Sequence, residues 1–429
     1  MVPLLEVQKS KLPMKPTILT HISEIVTPEG KKALHGKEMG KVKRQKDGAI
    51  VIENGKIQAV GSNDAIMKAY AGKDAAIRDM SGSCVLPGFV DSHTHFIFGG
   101  YRPEEFMMRL TGASYLEIHK AGGGIWNTVQ ATRNMGLDEM VQAGKERLQD
   151  MLSMGVTTAE GKSGYGLDRE CELRQLKALE ILKREQPVSL VSTFLGAHSI
   201  PEEYKGKSDQ YIDFLMEEML PEIKEKNLAE YVDIFCENSV FDCEQSRRYL
   251  LGAKQMGFGV KIHADEIEAL GGSGVAAEVG AASADHLLMI RKKDCEKLAA
   301  SDTVATLLPA TAFCLNKPYA PARELIDRGC AVALASDYNP GSCFTNSIPL
   351  LFALAVIHMK MSLEEALCAL TLNGAAAVGK ADRVGSIEPG KAADLVVLDK
   401  PQYEFLVYHT AKNLVREVYK DGNIVYRKR

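Results

Sequence analysis

Between residues 86 and 383, short apolar runs alternate with helical stretches, the pattern of parallel strands joined by crossover helices. The candidate strands are 88–95 (GFVDSHTH), 155–164 (GVTTAEGKSG), 188–198 (VSLVSTFLGAH), 231–239 (YVDIFCENS), 257–266 (GFGVKIHADE), 283–288 (SADHLL), 303–310 (TVATLLPA) and 330–340 (CAVALASDYNP). Eight such units suggest a closed α/β architecture, a (β/α)8 TIM-type barrel. Spans 172–185 and 208–226 carry apolar residues at three- and four-residue spacing, as outer helices should. The stretch LDEMVQAGKERLQDMLSMG stops at Gly155 as a capped helix would. Gly161 weakens the second strand, which is expected to end near Glu160. The longest connection, 96–137, is Gly-rich around AGGGIWN and is expected to be partly folded over the barrel mouth.

Both ends of the chain read as β. In GAIVIENGKIQAVG a turn at Glu53-Asn54-Gly55 separates two β-rich runs, and near the other end apolar runs pair around Pro389-Gly390 and Asp421-Gly422. Neither end has enough strands for a core of its own. The expectation is therefore one discontinuous β-sandwich domain built from 1–85 and 384–429, with the barrel, 86–383, inserted between them. A length of 429 residues suits one large domain with a satellite.

Lys and Arg total 52 against 56 Asp and Glu, a balance that gives no electrostatic reason to expect nucleic acid. The partner expected is a small molecule. Nine cysteines without a CxxC pair read as reduced thiols of a cytoplasmic protein. No apolar run is long enough for a membrane helix, and MVPLLEVQKSKLPMKPT lacks the apolar middle of a signal peptide. Gly122 to Gly124 lack the following Lys-Ser/Thr of a phosphate-binding loop.

In a barrel of this kind, chemistry sits where the strands end. Five of the ten histidines fall at such ends: His93 and His95, His198, His263 and His286. A lone strand-end histidine is more simply a satisfied core residue. His93-Thr94-His95 is more telling, because residues i and i+2 of a strand point to one face and both imidazoles can reach one ion. With His263 and the carboxylate of Asp337 they make three nitrogens and one oxygen, a set that suits Zn or Fe and leaves room for water.

The runs VLPGFVDSHTH, KIHADE, ADHL, ALASDYNPG and GSIEPGKAADLVVLD resemble the metal-dependent amidohydrolase superfamily over nearly the whole chain. The resemblance implies a metal-bearing barrel with a composite β-sandwich, a homodimer, and one metal held by His93, His95, His263 and Asp337. It also implies substrate contacts from Arg102, Tyr165, His198 and Glu266 and from Asn339, Gly341 and Ser342, with His286 near the metal or in proton transfer. Other members hold two metals bridged by a carboxylated lysine at the end of the fourth strand. Here that strand ends FCENS, which argues for one.

The chemistry implied is hydrolysis of a small cyclic amide. The metal would lower the pKa of its water towards about 7, making hydroxide available to attack the amide carbon. Asp337 is expected to accept the proton, His286 to serve the oxyanion, and Glu266 or protonated Asp337 to protonate the leaving nitrogen. Arg102 suits an anionic arm on the substrate, because a guanidinium grips a carboxylate through two parallel hydrogen bonds.

Overall fold

The computed structural model describes residues 15–112 and 123–428. Five strands precede the barrel: β1 (Thr17–Thr27), β2 (Lys43–Glu53), β3 (Lys56–Ser62), β4 (Ala76–Asp79) and β5 (Cys84–Pro87). Three more follow it: β14 (Leu395–Leu398), β15 (Val415–Lys420) and β16 (Asn423–Arg427). All eight join one sheet in the order β16-β15-β14-β5-β1-β2-β3, with β4 added to β1. The two-residue turns read from the sequence are present, with positive φ at Asn54 and Gly55 and at Asp421 and Gly422, the backbone twist a tight hairpin requires.

The expected two layers arise from one sheet that rolls onto itself. The far edge, β3, returns to the segment ahead of β14, with Ile57 N donating to Lys391 O (2.9 Å) and Gly390 N to Ile57 O (2.8 Å). Leu19, Ile50, Ile57, Val85, Leu395 and Tyr419 consequently share one buried core. The apolar run before Pro389-Gly390 is not a strand. Its Ile387 N donates to the Thr27 side chain (Oγ1, 2.8 Å) rather than to the backbone of a neighbouring strand.

After Gly88 the chain enters the barrel: β6 (Phe89–Asp91), β7 (Val156–Lys162), β8 (Ser189–Ala197), β9 (Tyr231–Cys236), β10 (Gly259–Ala264), β11 (Ser283–His286), β12 (Val304–Leu307) and β13 (Val332–Leu334). Each pairs in parallel with its predecessor. All eight fall inside the runs picked out in the sequence. They are shorter, because the last residues of each run leave the ladder to build the rim.

The outer helices bury one face against these strands. Helix Arg169–Glu185 starts where the Asp168 carboxylate accepts from Cys171 N (2.7 Å), and it buries Leu176, Leu179 and Leu182. The span at 208–226 is helical over Ser208–Phe214 and Leu220–Glu225, with a π turn at Leu215–Met219 between them. Pro221 explains the interruption, since it has no N–H to offer the preceding turn. In the long connection, helices Pro103–Leu110 and Ile125–Arg133 are present, while 113–122, including Ala121 and Gly122 of the Gly-rich run, lie outside the described residues. No described helix is long and apolar enough to cross a membrane. All nine cysteines are free.

The second barrel strand does not stop at Glu160. It runs through Gly161 to Lys162, fully buried. Glycine is required there by close packing: a Cβ would stand 2.5 Å from Leu179 Cδ2 and 2.9 Å from Phe96 Cε1. Gly161→Ala should therefore lower the unfolding free energy by about 1–3 kcal/mol, as overpacking of a full core does. Urea denaturation measures it, and an unchanged midpoint would show that the neighbours move aside freely.

Candidate metal centre

The barrel closes where its first and last strands meet, and the site is built on that seam. Beyond β6 the chain stays extended, and Asp337 N donates to His93 O and His95 N to Tyr338 O, both at 3.0 Å. Thr94 and Tyr338 form the parallel bridge between them. Below the bridge, the Asp91 carboxylate accepts from Ser336 N (2.9 Å) and Ser336 Oγ (2.6 Å), with burial pushing Asp91 up to about 6. Residues more than 240 positions apart are thereby locked side by side.

On this seam the predicted ligand atoms converge. His95 Nε2 lies 3.2 Å from His93 Nε2 and 3.3 Å from His263 Nε2. Asp337 Oδ1 lies 3.4 Å from His95 Nε2 and 3.6 Å from His93 Nε2. Four ligands about 2.0–2.1 Å from one ion in a tetrahedron would stand about 3.3–3.4 Å apart, so the spacing suits a first-row cation. His198 and His286 lie at the margin, each close enough to share an ion with two of the other histidines.

Carboxylates stand behind the ligands. Asp285 Oδ2 is 2.6 Å from His93 Nδ1, and Asp233 Oδ2 is 3.1 Å from His263 Nδ1. Partners of this kind turn Nε2 towards the centre and raise its basicity. Beneath them lies a layer that the sequence reading did not pick out. Lys162 Nζ sits 2.6 Å from Asp233 Oδ2 and 2.9 Å from Glu160 Oε2, and Lys261 Nζ sits 2.8 Å from Glu160 Oε2 and 2.7 Å from Ser92 O. Every side chain in this layer is fully buried. Burial works against charge on Lys162, but Asp233, Glu160 and Asp285 outweigh it and hold the ammonium above its ordinary range. Burial would likewise raise Asp233, yet His263 and Lys162 outweigh it and keep that carboxyl well below the usual range.

The signal for this layer was alternation. Glu160 and Lys162, and Lys261 and His263, are i, i+2 pairs on buried strands, so each pair faces the barrel interior. Four carboxylates, Glu160, Asp233, Asp285 and Asp337, face two ammoniums, a surplus of two negative charges that a divalent cation would neutralise. Without a cation, burial raises Asp285 and pushes Asp337 up to about 7.

The other predicted site residues line the rim. Tyr165 is buried, its ring 5.9 Å from that of His95, on a loop tied down by Glu172, which accepts from the N–H groups of Gly164, Gly166 and Leu167 at 2.9–3.2 Å. His198 stacks on His95 at 5.0 Å, with its Nδ1 3.0 Å from Gly164 O. Read as a donor to that carbonyl, Nδ1 leaves Nε2 as an acceptor, and burial lowers His198 to about 3. Glu266 Oε2 lies 3.6 Å from His286 Nε2. Burial first and then Asp337 push Glu266 up to about 8, while burial keeps His286 well below its ordinary value. His286 has φ +80°, a strained backbone for a non-glycine residue, and its buried Nδ1 has no hydrogen-bond partner among the described residues.

In the loop after β13, Asn339, Gly341 and Ser342 are turned towards one another. Asn339 Oδ1 accepts from Gly341 N and Ser342 N (both 2.8 Å), and its Nδ2 donates to Asp337 O (2.6 Å) and Ser342 Oγ (2.9 Å). Arg102 packs over Gly341, where any Cβ would overlap its guanidinium. The buried layer has a direct consequence for stability. Lys162→Met should cost about 3–5 kcal/mol in denaturant unfolding, because Asp233 and Glu160 lose a buried counter-charge. Adding Asp233→Asn should recover part of the loss, a non-additivity that an independent pair would not show.

Residues 84–425 match the amidohydrolase family. An imidazolonepropionase of Clostridium tetani is 52% identical over 96% of this chain and 98% of its own length. Those of Porphyromonas gingivalis and Bacteroides thetaiotaomicron are also 52% identical, over 95% of this chain and 97% and 99% of theirs. Among solved structures, a zinc-bound adenosine deaminase of Xanthomonas campestris superposes with a TM-score of 0.68 at 18% identity, covering 95% of this chain and 92% of its own. The Escherichia coli guanine deaminase gives 0.64 at 16%, covering 97% and 100%. At such identities the structures speak for the fold alone. The sequence relatives go further: the chain belongs to the amidohydrolase family and, within it, to the imidazolonepropionases.

Proposed function

We propose that the protein opens the ring of 4-imidazolone-5-propanoate by hydrolysis at the cyclic amide carbon, yielding N-formimidoyl-L-glutamate in histidine degradation. The observation that carries this reading is 52% identity to imidazolonepropionases over nearly the full length of both chains. The barrel 86–383 is read as the catalytic domain, and 1–85 with 384–429 as its β partner. Support for that division is the pair of separate sheets. A cytoplasmic homodimer is proposed on the family resemblance.

The site is assigned one ion, Zn or Fe, held by His93, His95, His263 and Asp337. Support comes from the spacing of the four donor atoms and the surplus buried negative charge. When bound, such an ion supplies a Lewis acid and brings the pKa of a water it holds from 15.7 down towards about 7. Lys162 is not a ligand in this assignment. Its ammonium is committed to Asp233 and Glu160.

The remaining steps belong to side chains. Asp337 accepts the proton of the attacking water on Oδ2, the oxygen that also accepts from Thr311 Oγ1 at 2.7 Å. His286, neutral at pH 7, donates one N–H to the oxygen on which negative charge develops. Glu266, protonated at pH 7, delivers its proton to the departing ring nitrogen. His198 accepts from a ring N–H, Tyr165 closes the pocket beside His95, and Arg102 takes the propanoate. Asn339, Gly341 and Ser342 are read as substrate contacts on the pocket wall, in a loop whose shape Asn339 sets by accepting from Gly341 N and Ser342 N.

Asp337→Asn should keep the fold by circular dichroism and lower ring opening by about 10²–10⁴-fold, followed as loss of the ultraviolet absorbance of imidazolonepropanoate. Turnover at the normal rate would overturn the mechanism. Because Glu266 is raised to about 8 and acts in its protonated form, activity should fall as pH rises through that value, the acid limb belonging to Asp337 and the attacking water. The alkaline limb should be missing from the residual rate of Glu266→Gln, and its persistence would assign the limb to another group.

A further inference from the structure

Two arginines face the loop after β13, and the chemistry above uses one of them. Arg102 caps helix Pro103–Leu110 and Arg109 stands in its last turn, seven residues on and therefore on the same helix face. Both reach Gly341. Arg109 Nη2 donates to Gly341 O at 3.1 Å, and Arg102 fills the space a Gly341 side chain would need.

The pair is short of negative charge. Among the described residues, the one carboxylate in ion-pair reach is Glu105, 3.6 Å from Arg102 Nη1. Glu105 is already engaged, accepting from Gly124 N (3.1 Å) and Asn127 Nδ2 (3.3 Å). Two buried donors are left over, Arg102 Nε and Arg109 Nη1, neither with a hydrogen-bond partner among the described residues. Leaving a buried guanidinium N–H unpaired is costly, and two of them beside one loop mark a place where an anion completes the hydrogen bonding. The two like charges also disfavour each other, since burial and then Arg102 lower the pKa of Arg109. Arg102 also acts electrostatically on Tyr165, whose ring lies 5.9 Å from that of His95, which places the pair on the rim of the metal centre.

We propose that Arg109 is the second jaw of a two-arginine clamp on the carboxylate arm of the substrate, and that it sets the preference for an anionic arm. The clamp rests on the ring-opening reading above. The Gly341 carbonyl holds one side of the Arg109 fork, and the free Nη1 faces the carboxylate that Arg102 grips from the other side. Asn339 fixes the loop and with it the spacing of the jaws.

The test is steady-state kinetics of the metal-loaded full chain on imidazolonepropanoate and on its neutral methyl ester. Arg109→Gln should raise KM for the acid by about 10- to 100-fold, the worth of a hydrogen bond to a charged group. Its kcat should change far less, and kcat/KM for the ester should barely move. Arg109→Lys, which keeps the charge but loses the fork, should fall between wild type and the Gln variant. Equal losses on acid and ester would overturn the clamp and leave Arg109 as a support for the Gly341 loop. No loss on either substrate would also overturn it. A wild-type enzyme that opens neither ring would instead overturn the functional reading, which separates the two failures.

Discussion

The site depends on a short seam of backbone hydrogen bonds. Asp337 N to His93 O and His95 N to Tyr338 O join the first and last barrel strands. Without that closure, His93 and His95 belong to one end of a sheet and Asp337 to the other. With it, one carboxylate oxygen stands 3.4–3.6 Å from two imidazole nitrogens. The Asp91 carboxylate clamps the same seam from below through Ser336, a bond that needs the strands in register. Closure of the barrel and assembly of the ligands are therefore one event.

Behind the ligands the molecule tolerates a costly arrangement. Two lysines and three acidic residues lie fully buried in the barrel interior, where a well-packed apolar layer would often be at least as stable. What the charges provide is orientation. Lys162 holds Asp233, Asp233 faces His263, and Asp285 faces His93, so each of these imidazoles has its far nitrogen directed by a carboxylate that is itself directed. On the rim the same logic runs through backbone amides: Glu172 gathers the loop of Tyr165, and Glu237 accepts from Ile267 N (2.8 Å) next to Glu266. Acidic residues that look catalytic by position are here the supports of their neighbours.

Much of this was legible in the sequence. Eight apolar runs located eight strands, because parallel strands covered on both faces read as near-continuous apolar runs even where a few charges interrupt them. His93-Thr94-His95 announced a shared face, because side chains two apart in a strand point the same way. The failures are equally physical. Gly161 read as a defect because the ring of Phe96, which excludes a side chain there, is remote in sequence. The residues before Pro389 read as a strand because their composition does not reveal that Ile387 N is taken by the side chain of Thr27, 360 positions away. Glu160, Lys162, Asp233 and Lys261 passed unnoticed because a charged residue in a strand has no visible partner until the barrel brings one within 3 Å.

By itself the sequence determined the period of the fold, the residue types available for chemistry and the strand ends on which they sit, since these follow from local alternation and spacing. Only the tertiary structure decided which groups touch. Closure placed Asp337 against His93 and His95, the buried ion layer chose which carboxylate backs which imidazole, and packing at Gly341 brought Arg109 beside Arg102. Those pairings join residues tens to hundreds of positions apart, and a contact of that kind is set by how layers pack, which no local pattern encodes.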